Sequence, residues 1–96
     1  LLAMKNLKIE LSPDVLSQEV SGETVLLDIR SESYFGLDQV GTRIWELMQE
    51  KGDLETIFKA MLDEYDVEPG QLESDLSELV EKLAKAGLVQ TTPIEK

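Results

Sequence analysis

Residues 33–47 read SYFGLDQVGTRIWEL, and a change of period inside them decides the fold. Tyr34 and Phe35 favour extended chain, because aromatic side chains suit a pleated, half-buried surface. Asp38 then reads as a helix N-cap, and Val40, Ile44, Trp45 and Leu47 follow at helical spacing. Tyr34 and Phe35 are neighbours in a strand, so they point to opposite sides. One of them must face solvent or something that covers it. Gly36, between them and the helix, permits close approach of another backbone.

Upstream the chain reads as strands. Leu7, Ile9 and Leu11 alternate with Lys8 and Glu10. Ser12-Pro13-Asp14 interrupts them, and Val15–Val20 is a second, weaker strand. Ser21-Gly22-Glu23 is a tight hairpin connection into Thr24–Arg30, TVLLDIR. Val25, Leu27 and Ile29 share one side of that strand, with Thr24, Asp28 and Arg30 on the other. Ser31-Glu32-Ser33 turns the chain into Tyr34–Leu37, the third strand of a meander.

Downstream it reads as three helices. The first runs from Asp38 to about Glu50, with Val40, Ile44, Trp45, Leu47 and Met48 on its apolar face and Gly52 ending it. Asp53 caps the second, whose stripe is Leu54, Ile57, Phe58, Met61, Leu62 and Tyr65. Pro69 opens the third, in which Leu72, Leu76, Leu79, Val80 and Leu83 keep a period near 3.6. Gly87 closes it, and Leu88 and Val89 return to the core. The expected division is an N-terminal segment over 1–10, a domain over 11–90 and a flexible tail over 91–96. Leu1–Ala3, ahead of Met4, read as tag residues. The expected class is α+β: a winged helix-turn-helix-like fold, with a three-stranded antiparallel sheet packed on three helices.

Composition narrows the chemistry. With 96 residues the chain suits one small domain, too small for a deep cavity. It has no cysteine and no histidine, which removes thiol chemistry, disulfides, most zinc sites and imidazole catalysis, and fits a cytoplasmic protein. No apolar run has the length of a membrane span, and none reads as a signal peptide. The net charge of −11 repels polyanions and favours a neutral or basic partner. Between Asp53 and Ala86 ten carboxylates face three lysines, a net of −7, so the helix that would read DNA in a winged helix repels phosphate. No nucleic acid and no membrane partner is expected.

The carboxylates themselves read as solvated surface. Glu78 and Glu81 lie on an outer helix face, and Asp63, Glu64, Asp66 and Glu68 crowd one turn without the alternating ligands and central glycine of a calcium loop. No catalytic residue, cofactor or metal is expected. Asp75 stands apart, because it precedes Leu76 on the third helix. Tyr34–Leu37 contains neither Lys nor Pro, the residues that usually blunt an exposed sheet edge. An open edge beside an apolar surface is what a guest peptide needs for strand addition. The rival reading has Lys5–Leu11 folding over that edge.

The order TVLLDIR, YFGLD, VGTRIWEL, Gly52-Asp53, Tyr65-Asp66-Val67, Asp75 and Leu83…Gly87-Leu88-Val89 resembles the PqqD-like family of peptide chaperones, or RiPP recognition elements. The resemblance covers about Leu11 to Gln90. It implies a non-catalytic module that binds the leader of a ribosomally made precursor peptide. Tyr-Phe-Gly-Leu-Asp with Gly-x-x-Ile-Trp is most similar to the stand-alone leader-binding protein of lasso-peptide pathways, whose partner is a separate cysteine protease acting as leader peptidase. The alternative branch serves a radical-SAM enzyme making pyrroloquinoline quinone or a related peptide product. An acidic winged-helix regulator is a remoter alternative. Carried onto this chain, the guest strand would pair with Ser33, Tyr34, Phe35, Gly36, Leu37 and Asp38. Leu72, Leu76, Leu79, Val80 and Leu83 would form the helix-side wall, some of them serving the core as well, with Asp75, Glu78 and Lys82 as a polar rim.

Overall fold

The structure is a computed structural model that describes residues 7–94. Three strands form the larger sheet: β2 (Val15–Val20), β3 (Glu23–Asp28) and β4 (Ser33–Leu37), antiparallel in the order β2-β3-β4. A two-residue turn joins β2 to β3 with Ser21 at φ 55° and Gly22 at φ 82°, the positive pair that matches the twist of a hairpin. Leu16, Leu27 and Tyr34 stand in one row across the sheet, and Gln18, Val25 and Gly36 in the next.

Helices α1 (Gln39–Glu50), α2 (Leu54–Glu64) and α3 (Pro69–Lys85) follow. The Asp38 side chain accepts the Gly41 amide at 2.8 Å, and Asp53 accepts the Glu55 amide at 2.9 Å. Each cap is worth about 1 kcal/mol. Gly87, at φ 79°, lets the chain leave α3 with the Leu88 amide on the Leu83 carbonyl and the Gly87 amide on that of Ala84. That is the paired arrangement of a Schellman ending. Gly52 plays no such part: α1 ends with extended backbone at Lys51.

The core face of β3 carries Thr24, Leu26 and Asp28. Val25, Leu27 and Ile29, which alternate so clearly in the sequence, lie on the other, outward face. The pleat obeys period two, but the core takes the set containing two polar residues. Thr24 and Asp28 sit at the ends of the strand, and the fully buried Leu26 supplies the apolar contact between them. Leu26 and Leu37 meet Ile44, Trp45, Leu47 and Met48 of α1, Leu54, Ile57 and Met61 of α2, and Leu72, Leu76, Val80 and Leu83 of α3 in one cluster. Val40 and Tyr65, expected in the apolar stripes, are exposed.

A second sheet pairs β1 (Leu7–Leu11) with β5 (Val89–Pro93). Residues 91–93, expected as a tail, are therefore the second half of a strand. Ile9 buries its side chain in the core and donates its amide to the Gly52 carbonyl at 2.8 Å, which fastens β1 to the α1–α2 junction. Residues 7–11 thus lie away from β4. Lys5, the start of the proposed edge cover, falls outside the described residues, as do Leu1–Ala3, expected as tag residues.

Arg43 ties α1 to α2. Its Nε and Nη2 donate to the two Glu64 oxygens at 2.8 and 2.7 Å, and Nη1 reaches Glu46 at 3.1 Å. The hydrogen bond from Arg43 holds the Glu64 carboxyl below its ordinary pKa; desolvation opposes this, and the guanidinium charge adds a smaller lowering. A carboxylate depressed on folding stabilises the fold above its unfolded pKa, and the contribution disappears as pH falls through the folded value. The gap in urea midpoint between wild type and Arg43→Ala should therefore narrow on acidification from neutral to the acid side of the carboxylate range. A constant or widening gap would contradict this origin.

Candidate functional site

The edge of the larger sheet beside α1 is β4, and no other strand among the described residues pairs with its outer side. Its conformation is set from both ends. Asp28, buried on β3, accepts the Arg30 amide at 3.1 Å and the Ser31 hydroxyl at 2.9 Å. Its carbonyl accepts the Glu32 amide at 2.7 Å, with Glu32 held at φ 60°. This turn delivers Ser33 into the strand. At the far end Leu37 is buried and Asp38 begins α1. Tyr34 points out and is 75% exposed, while Phe35 is half-buried against the core. The two aromatics split between the faces as strand geometry requires.

Beside β4 runs a groove of about 420 Å³. Phe35, Gly36, Leu37 and Asp38 form one side; Val40, Gly41 and Ile44 of α1 form the floor; Asp75, Glu78, Leu79 and Lys82 of α3 form the far wall. Four of the expected strand residues and four of the expected helix residues (Asp75, Glu78, Leu79 and Lys82) thus come together. Ser33 and Tyr34 belong to the same strand but do not line the groove. Leu72, Leu76, Val80 and Leu83 do not form its wall. All four are buried, because a 3.6-residue period turns them into the core shared with α2 and β5. Leu79 stands one position from Val80 on the flank of that stripe and is only partly buried.

Val40, Gly41 and Ile44 were not expected in the site. A Cβ on Gly41 would sit 3.2 Å from Leu37 Cδ2 and 3.3 Å from Asp38 Oδ1, so α1 packs close to the end of β4 and a side chain there would push Leu37 or Asp38 aside by a few tenths of an ångström. The sequence signal was the glycine three residues beyond the cap. Asp75 Oδ1 accepts from Gln71 at 2.9 Å, and one Asp38 oxygen is occupied by its cap. Lys82 is the cation of the groove wall. Among the described residues no three acidic side chains converge as a metal site, and Glu64 of the crowded turn is taken by Arg43. Among those residues, too, no helix is long and apolar enough to cross a membrane. The groove offers apolar contact and an unpaired strand edge, an arrangement suited to binding.

The family described as coenzyme PQQ synthesis protein D (PqqD) matches residues 23–89, and the chain belongs to that family. Among solved structures, it is similar to TbiB1 in complex with the TbiA(beta) leader peptide. That match has 38% identity and a TM-score of 0.80 over 84% of this chain and 94% of the other. It is also similar to a lasso peptide synthetase B1 complexed with the leader peptide. There identity is 25% and the TM-score 0.77, over 86% of this chain and 98% of the other. No curated protein matches the chain.

Leu76 and Leu79 separate core from wall. Leu76→Ala should cost about 2–5 kcal/mol in urea unfolding, and Leu79→Ala less than about 1.5 kcal/mol, since only part of its surface is withdrawn from water. Equal costs would contradict the division.

Proposed function

We propose that this member of the PqqD family binds the leader of a ribosomally synthesised precursor peptide as an added strand on β4, and presents the remainder to a processing enzyme. The observation that carries the reading is the unpaired edge of β4 lying along an apolar groove. A guest in that position would complete main-chain hydrogen bonds with β4 and turn alternate side chains into the groove, toward Phe35, Ile44 and Leu79. The two similar structures each hold a leader peptide, which supports the same ligand class here.

The energetics are adequate. Each well-buried apolar side chain of the guest contributes about 1.5–3 kcal/mol, and each main-chain hydrogen bond a net of about 0.5–1.5 kcal/mol. Micromolar affinity corresponds to about 8 kcal/mol, within reach of two anchors and a short strand after ordering costs. Asp75, Glu78 and Lys82 would meet polar groups at the rim. The chain itself performs no chemistry on this reading. The enzyme served is a lasso leader peptidase, as the lasso relatives suggest. The family's description favours one alternative, a radical-SAM enzyme of quinone-cofactor synthesis.

An isotope-labelled amide spectrum titrated with two synthetic leaders tests both levels. A lasso leader should give saturable shifts centred on Ser33–Asp38 and the groove side of α3, and a quinone-cofactor leader should not. Leu79→Asp should weaken binding at least about tenfold while keeping the dispersed spectrum. Unchanged Ser33–Asp38 amides at a saturating lasso leader would refute strand addition. Shifts with the second leader alone would assign the radical-SAM branch.

A further inference from the structure

Gly36 sits inside β4, directly across from Val25 of the central strand. Glycine weakens a strand interior, because it loses the most backbone entropy and has no side chain to pack. The usual internal reasons for keeping one are missing. Its φ is not positive, and a Cβ at this position would meet nothing within 4 Å. The fold of the free protein would accept a larger residue.

The missing side chain leaves a mark on its neighbour. Val25 belongs to the central strand, yet it is 41% exposed, on the outer face of the sheet. That face holds a shallow depression lined by Leu16, Ser17, Gln18, Val25, Leu27 and Tyr34, with no charged side chain among these six. It lies on the opposite side of the sheet from Phe35 and Leu37, and so apart from the groove.

We propose that Gly36 selects the guest strand's side chain on this outer face: the guest residue paired across from Gly36 is bulky and apolar, and leans over the glycine onto Val25. The inference rests on strand addition at β4. Cross-strand neighbours on one face stand about 4.5–5.5 Å apart at Cβ. A glycine partner leaves one flank of the guest side chain empty, and a large apolar group fills that flank by covering the glycine, as aromatic residues do for glycines in designed sheets. A short or charged residue there would leave Val25 in water. The leader would then be read on both faces, by the groove on one side and by Gly36 with Val25 on the other.

The test uses the TbiA(beta) leader peptide, its single-alanine variants, and the protein as wild type, Gly36→Ala and Gly36→Val. Both variants should keep a dispersed amide spectrum, since the added atoms enter open space. Binding of the parent peptide should weaken by a smaller step for Ala and by at least about tenfold for Val. One outward-facing leader position should lose affinity on alanine replacement in wild type, and less than about twofold in Gly36→Val, the signature of coupled residues. Affinity unchanged within about twofold in Gly36→Val, or no coupled leader position, overturns the role of Gly36 while leaving strand addition standing. No saturable binding to wild type overturns both together.

Discussion

The hydrogen bond from the Gly41 amide to the Asp38 side chain is the contact on which the site's geometry turns. The chain passes from strand to helix with a single residue between them, β4 ending at Leu37 and α1 beginning at Gln39. Asp38 fills the gap by capping the helix with its side chain. With no loop to bridge, α1 must run beside the end of the edge strand, and Val40 and Ile44 then floor a groove whose far wall is α3. A longer connection would free the helix to cover the edge. The same economy operates at the other end of β4, where Asp28 holds a tight turn with its side chain and its carbonyl.

An edge strand without lysine or proline invites pairing with another copy of the chain. Here the protection is global. A net charge of −11 on 96 residues makes two copies repel, while a neutral or basic peptide is drawn in. The first strand, which could have closed the edge locally, is committed elsewhere: its pairing with β5 and its bond to Gly52 hold it at the α1–α2 junction. Among the described residues the edge of β4 therefore stays open, while the net charge opposes its pairing with a second copy.

Much of the fold was legible because its signals are local. The Ser21-Gly22 turn, the Asp38 and Asp53 caps, Pro69 at the start of α3 and Gly87 at its end each fix backbone through their own chemistry. The resemblance to the PqqD-like family was carried by an ordered set that shares Asp38, Asp53 and Gly87 with these signals. What escaped was tertiary. Alternation in β3 marked two faces, but which face met the helices depended on Leu26 and on a buried Asp28 serving a turn. Period 3.6 identified the apolar stripe of α3, but a stripe that builds a core cannot also line a groove. Leu72, Leu76, Val80 and Leu83 went to the core, and the flanking Leu79 went to the wall. The strand at Val89–Pro93 was invisible because Thr and Pro there gain their order only from pairing with β1.

Amide hydrogen exchange across β4 tests the central claim most directly. In the free protein the β4 amides that face away from β3 should exchange rapidly, since nothing among the described residues accepts them. With a saturating lasso leader the same amides should become protected, while those of β2 at the opposite edge keep their rates. Protection of the outward β4 amides before any peptide is added, or its absence at saturation, would contradict an open edge that receives a guest strand.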